Sequence, residues 1–409
     1  MKKPISIPRV RLFVILFAAI VIAHIIILRV VIRGERGSTP PPEPEKAQTT
    51  TSGGLRDLFD WQKNAPSADD SGLFGMGKKT YRYRKPNDNP NFGKPLEFNG
   101  ADTSDMQKRF VPKMEKWEGT GIIVDMDTHR VLWEKEARKP VPIASMTKMM
   151  TVLLVAEELE RNPKLSPDTE ITVTQSAMNA MPEKERSSAS RIGLDVGSKI
   201  TVRDLLLCVL LPSANDAADM LAEVVGGDVD KFIARMNDRA KELGFTSMKF
   251  YTSNGLNNWR GKERLTSVAS AADMVRLGER LLEYPILAEM MSKKSAQVTV
   301  NGKQRTIYSS NILINTNDKH KLLRGKKAVP GVDGMKTGSI RVSGACLTFS
   351  VLRDGRRMIG CVTRFPNHQD RYDFCSKLID WAYDPGSVNK PKRSAGTGKR
   401  TPRKPQKKK

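Results

Sequence analysis

Ser145 and Lys148 stand three residues apart in Pro142-Ile143-Ala144-Ser145-Met146-Thr147-Lys148. The run from Met146 to Ala156 has good helix formers and neither Gly nor Pro, and Pro142 just upstream is an entry signal. Positions three apart share a helix face, so the hydroxyl and the amine point the same way. A hydroxyl in a first turn also feels the positive end of the helix dipole, which favours negative charge on its oxygen. A neutral amine one turn on can take its proton, which is how a serine nucleophile is activated. Ser-x-x-Lys pairs are common on solvated helices. Here Met149-Met150-Thr151-Val152-Leu153-Leu154-Val155-Ala156 follows, so the helix is expected to be buried, and a buried lysine is costly without a task.

Acyl transfer by a serine without histidine needs four things: a base, a proton relay to the leaving group, oxyanion donors and a grip on the substrate. Ser213 and Asn215 stand on a loop forced by Pro212 and offer a hydroxyl relay and an amide. Lys336-Thr337-Gly338 offers a cation, a hydroxyl and a glycine that lets a ligand approach the backbone, at what reads as a strand start. A second cation near Lys148 would lower its pKa and keep it neutral.

Together, Ala144-Ser-Met-Thr-Lys148, Ser213-Ala-Asn-Asp-Ala217 and Gly334-Met-Lys-Thr-Gly338 resemble the three signatures of penicillin-binding proteins and serine β-lactamases. Within that group they are similar to the low-molecular-mass serine D-alanyl-D-alanine carboxypeptidases. The likeness covers roughly residues 117–385. It implies an α+β fold of the β-lactamase/transpeptidase type, with an antiparallel sheet flanked by helices, an all-helical cluster and the site between them. It implies an acyl-enzyme on Ser145, released by water to give D-alanine and a trimmed peptidoglycan stem peptide, with β-lactam antibiotics as covalent inhibitors and no cofactor. By the resemblance, Lys148 is the general base, and Ser213, Asn215 and Lys336 relay protons and bind substrate. Thr337 is a carboxylate-side contact, Gly338 belongs to the third signature, and the N–H groups of Ser145 and Ser339 form the oxyanion hole. Arg371 matches an arginine that helps orient the substrate carboxylate; a surface residue at a helix start is the other reading.

Ser339-Ile340 departs from the bulky residue and threonine usual after Lys-Thr-Gly, so substrate fit differs at that edge. Little sequence follows Tyr383, so the extra β-rich C-terminal domain of some members is not expected. A β-lactamase of the Ser-x-Asn class needs a glutamate on a loop between the second and third signatures. Glu242 falls in a helix and Glu263 in a Lys/Arg-rich turn, with no Glu-x-x-x-Asn pattern, which favours the carboxypeptidase. A DD-endopeptidase is a small step away. A reading of another class is a catalytically inactive, membrane-anchored cell-wall binding protein.

The elements that must position these residues are legible in outline. Gly121 to Trp133 reads as two strands about a turn at Asp127-Thr128, where Asp125 and Asp127 serve turn geometry rather than paired-carboxylate chemistry. After the Ser145 helix come a helix from Val202 to Leu211 capped by Thr201, then Ala217–Val225 and Asp228–Leu243. Thr266 is expected to cap a helix running to about Glu283. From Gln297 the pattern turns to strands, including Ala345–Leu352 and Met358–Arg364 about Asp354-Gly355. A helix from Arg371 to Tyr383 closes the domain. With Arg353 opposite Arg356, Cys361 faces Thr348 and Cys346 lies diagonal to it. A diagonal pair is about 7–8 Å apart, too far for a disulfide, so free buried thiols are expected.

The whole chain has 409 residues, a hydrophobic fraction of 39% and a net charge of +24. Leu12–Leu28 is apolar except for His24, and with Val30, Val31 and Ile32 it reaches the roughly 20 residues that span a bilayer. No small-residue cleavage site follows, so residues 12–32 read as an uncleaved transmembrane anchor after a short segment, 1–11. Residues 33–115 read as a Pro/Gly-rich linker, 116–385 as the catalytic domain and 386–409 as a disordered basic tail. Gly72-Leu-Phe-Gly-Met-Gly-Lys78-Lys79 nearly matches a phosphate loop, but Lys79 replaces the magnesium-binding hydroxyl and no strand precedes it. The tail holds ten Lys or Arg and no acid, suited to anionic polymer or lipid. It has no aromatics for base stacking, so no specific nucleic acid is expected. Cys208, Cys346, Cys361 and Cys375 and the four histidines show no metal-ligand spacing, so no metal is expected. The anchor places the catalytic domain outside the cytoplasmic membrane, on its periplasmic side.

Overall fold

The structure, a computed structural model, describes residues 89–110, 117–187, 189–314 and 328–385. The expected anchor at 12–32, the near-phosphate loop and the tail at 386–409 lie outside the described residues. Among the described residues no helix is long and apolar enough to cross a membrane.

Five strands make the central sheet: β1 (Gly121–Asp125), β2 (Arg130–Lys135), β3 (Val332–Ile340), β4 (Gly344–Arg353) and β5 (Arg356–Phe365). Their spatial order is β3-β4-β5-β1-β2, and every pairing is antiparallel. Alternation along each strand sorts side chains to two faces. Ile122 and Val124 join one core, while Ile123 joins the other with Trp133 and Leu347. The first core meets a helical cluster: α1 (Lys148–Arg161), α2 (Val202–Leu210), α3 (Asn215–Gly226), α4 (Val229–Glu242) and α5 (Ala271–Leu281). The second face is covered by α6 (His368–Tyr383). The expected architecture of helices flanking an antiparallel sheet, with a helical cluster, is present.

Local chemistry accounts for the boundaries. Thr201 Oγ1 caps α2 by accepting from the Asp204 N–H at 3.0 Å, as its sequence position predicts. Thr266, however, is not the next cap. A short strand, Val268–Ala269, intervenes, and Ser270 caps α5 instead, accepting from Asp273 N–H. The β4–β5 hairpin has the expected register, with Arg353 opposite Arg356 and Thr348 opposite Cys361. All four cysteines are buried free thiols, as expected.

Residues 89–110 correct the expected linker. Glu97 bridges to Arg130 and Asp102 to Trp133, both parallel, alongside the edge strand β2. A helix, Met106–Phe110, then seats Met106 and Phe110 in the second core. The Phe110 ring meets Phe374 at 5.8 Å, beside Trp117, Trp133 and Phe365. Polar, Pro/Gly-rich composition hid this, because the apolar anchors are few and scattered: Met106 and Phe110 in the second core, with Leu96, Phe98 and Ala101 partly buried against the first.

Candidate active site

Ser145 lies on a tight 3₁₀ turn, Ala144–Thr147, that runs into α1 at Lys148. In such a turn residues three apart eclipse one another, and Lys148 Nζ stands 3.0 Å from Ser145 Oγ. Ser145 is half-buried while Lys148 is wholly buried. The amine has two further contacts: Asn215 Oδ1 at 2.7 Å and the Asn254 carbonyl at 2.6 Å. Asn215 Nδ2 donates to the Ser190 carbonyl at 2.9 Å, which fixes the amide with its oxygen toward the lysine. Both of these partners can only accept. A neutral amine therefore donates to both and presents its lone pair to the Ser145 hydroxyl.

Burial pushes Lys148 down to about 7, against the opposing pull of the Asp219 and Asp216 charges. From the sequence this effect is expected of a second cation. The structure assigns it to desolvation, and the repulsion between the two lysines is felt at Lys336. Lys336 is buried on β3 and held well below its ordinary value by burial first, then by Lys148 and Arg371. Its Nζ donates to the Thr337 carbonyl at 3.0 Å.

The third signature lies inside β3 rather than at its start. β3 is the edge of the sheet, so one side of its backbone is not paired by another strand of that sheet. Gly338 has a packing role that the sequence did not show. A Cβ there would fall 2.6 Å from the Ile143 carbonyl and 3.2 Å from Met146 N, so its bareness lets β3 abut the Ser145 turn. Thr337 Oγ1 shares a hydrogen bond with Ser310 Oγ at 2.8 Å, and Ser339 is exposed.

The second signature also differs from expectation in part. Ser213 sits between α2 and α3 with φ 65°, and Ala144, beside the serine, has φ 49°. Left-handed backbone at non-glycine residues costs of order 1–3 kcal/mol and collects at functional sites. Asn215, expected to grip substrate, spends both ends of its amide inside the protein.

Arg371 is no surface residue. It is 1% exposed, donates through Nη1 to the Cys346 carbonyl at 2.7 Å and lies 4.1 Å from the centre of the Tyr372 ring. Tyr372 hydroxyl in turn donates to the Ser310 carbonyl at 2.8 Å, linking α6 to the Thr337 partner.

Sequence reasoning missed Ser190, Ser310 and the turn from Thr252 to Leu256. These act through backbone carbonyls or neighbours' side chains, which carry no spacing signal. Gly255 was the available clue. It has φ +83°, and a Cβ there would fall 2.0 Å from the Ala144 carbonyl, beneath the Ser145 turn. Among the described residues no group of His, Cys, Asp and Glu is placed to hold a metal ion.

Comparisons with known proteins agree with this geometry. A family profile described as D-alanyl-D-alanine carboxypeptidase matches residues 110–366. The carboxypeptidase DacF of Bacillus subtilis is 29% identical over 264 residues, which cover 64% of this chain and 61% of that protein. A D-alanyl-D-alanine endopeptidase of Pseudomonas aeruginosa is 31% identical over 205 residues, 50% of this chain and 60% of that one. The chain thus spans about three-fifths of the length of these relatives. Among solved structures, penicillin-binding protein D2 of Listeria monocytogenes in its cefotaxime-bound form superposes with a TM-score of 0.53 at 28% identity. That superposition covers 64% of this chain and 96% of the other.

Proposed function

Because this chain belongs to the D-alanyl-D-alanine carboxypeptidase family, we propose that it is a serine hydrolase that removes the terminal D-alanine from peptidoglycan stem peptides through an acyl-enzyme on Ser145. The observation that carries the reading is the wholly buried Lys148 amine, brought to about 7 and set 3.0 Å from the Ser145 hydroxyl. Near neutral pH a large share of that amine is unprotonated. It takes the Ser145 proton as Oγ attacks the carbonyl carbon of the penultimate D-alanine. The N–H groups of Ser145 and Ser339 stabilise the oxyanion. As the tetrahedral centre collapses, the C–N bond breaks and the proton passes from Lys148 by way of the Ser213 hydroxyl to the leaving D-alanine amine. Water, deprotonated by the same lysine, then releases the shortened peptide. Lys336, Thr337 and Arg371 supply positive charge and a hydroxyl for the substrate carboxylate. Asn215 holds the base.

β-Lactams enter the same site as covalent inhibitors, in keeping with the cefotaxime-bound Listeria neighbour. An endopeptidase role has support from the Pseudomonas relative of that name; the two activities differ in whether the amine released is free D-alanine or a cross-linked stem. The apolar segment 12–32 anchors the chain in the cytoplasmic membrane, with the catalytic domain outside it. The basic tail lies against anionic polymer or lipid.

The test is mass spectrometry of the protein after treatment with penicillin, together with assay of D-alanine release from a pentapeptide. A single adduct on Ser145, absent in Ser145→Ala, and free D-alanine are the expected results. An unmodified serine in the folded protein sinks the hydrolase reading in favour of an inactive binding protein, and rapid loss of the adduct favours a β-lactamase.

A further inference from the structure

Asp219 belongs to none of the three signatures, yet it is 2% exposed on α3, one turn beyond Asn215. Its carboxylate accepts from the Ser253 hydroxyl and, through both oxygens at 2.9 Å, from Asn254 Nδ2. Asn254 Oδ1 accepts from the Leu256 N–H at 2.8 Å, so that amide is held with its NH2 toward Asp219. The backbone carbonyl of the same Asn254 is one of the two fixed acceptors of the Lys148 amine. From α1, Thr151 Oγ1 donates to the Ser253 carbonyl at 2.5 Å and closes the ring. The turn that holds the amine is therefore fastened on one side to the helix that carries Lys148 and on the other to Asp219.

We propose that Asp219 is a positioning residue for Lys148: it locks the Asn254 carbonyl against the amine and supplies the buried negative charge that stabilises the ammonium formed when Ser145 gives up its proton. The inference rests on Ser145 being the nucleophile and deepens that reading. A cation created in a dry interior is unfavourable unless an anion already stands nearby. The charged groups around Lys148 and Asp219 divide clearly. Asp216 lies on the same helix, but its oxygens already accept from the N–H groups of Ile192, Gly193 and Leu194. Lys336, from β3, is repelled by Lys148. Arg186 and Arg191 border, with Asp216 and Asp219, a cavity of about 190 Å³ that includes neither Ser145 nor Lys148 in its lining. Burial pushes Asp219 up to about 7, against the hydrogen bonds of Ser253 and Asn254 and the charge of Lys148, which favour the carboxylate.

The experiment measures the second-order rate of labelling by a fluorescent penicillin against pH in the full chain, in Asp219→Asn and in Ser253→Ala. Loss of the carboxylate charge lets the Lys148 pKa fall further. The acid limb of Asp219→Asn is expected to move down by about 1 pH unit, and its plateau to fall roughly tenfold. Ser253→Ala removes a hydrogen bond that favours the charged Asp219 carboxylate, so its plateau falls and its acid limb moves in the same direction but by less. If Asp219→Asn does not unfold cooperatively, Asp219→Ser removes the same charge and carries the same expectation. Wild-type labelling with an unmoved limb in the charge-removing variant overturns the proposal. Absence of any labelling in the wild type overturns the nucleophile itself, a separate outcome.

Discussion

The interior treats charge in two opposite ways. At His129 and Glu279 the groups are paired: Nε2 and Oε1 lie 2.7 Å apart, His129 Nδ1 faces the Lys94 carbonyl at 3.0 Å, and Glu279 also accepts from the Gly93 N–H. Burial alone would lower His129, but the hydrogen bond and charge of Glu279 outweigh it and raise its pKa. At the candidate active site, by contrast, two lysines are buried with no carboxylate among the described residues in salt-bridge contact, and both are pushed down. The first arrangement fastens residues 89–110 to the body. The second leaves two amines without an ion pair, one of them 3.0 Å from the Ser145 hydroxyl. A buried charge that is paired reads as structure, and one left without an ion pair beside a hydroxyl reads as chemistry.

The sharpest break of this contrast is Lys148→Met, which fills similar volume without the amine. Penicillin labelling should fall roughly 10²–10⁴-fold, while the melting temperature should move little, because removal of a buried ionisable group is offset by the unpartnered Asn215 Oδ1 and Asn254 carbonyl. A fall in stability with labelling intact would reverse the assignment. Gly255→Ala tests the turn beneath the serine. Its Cβ would meet the Ala144 carbonyl at 2.0 Å in a left-handed backbone, so denaturant unfolding should show a loss of about 1–3 kcal/mol, with slower labelling. A smaller and purely structural effect is expected of His129→Gln. A group whose pKa is raised on folding contributes stability below its unfolded value, here 6.5, and loses it as pH rises through the folded value. The deficit of the variant, roughly 1–2 kcal/mol in acid, should shrink toward alkaline pH in thermal melts, with labelling at neutral pH unchanged. A deficit that grows with pH would show that the pair is not the source.

Residues 89–110 mark a limit of pattern reading. Their composition suits a spacer, but Met106 and Phe110 find an aromatic pocket made by Trp117, Trp133 and Phe374, residues up to 264 positions from Phe110 along the chain (374 − 110). Thr266 and Ser270 mark another. Both are good caps, and only the two-residue strand Val268–Ala269, paired with Val141–Pro142, settles which one starts α5.

The linear chain was enough to determine that Ser145 and Lys148 share a face, that β4 and β5 pair in a particular register and that Cys346 and Cys361 stay unbridged. Each follows from spacing within one element or across one tight turn, where backbone geometry leaves little choice. It also placed Ser213, Asn215 and Lys336 as members of the site through their family likeness. Tertiary structure alone decided what surrounds these residues. Asn215 Oδ1 came to face the Lys148 amine, Gly338 to abut the Ser145 turn, Arg371 to be buried and Asp219 to fasten Asn254. The reason is physical: pKa, desolvation and close approach depend on groups brought together through space, and sequence spacing carries no measure of them.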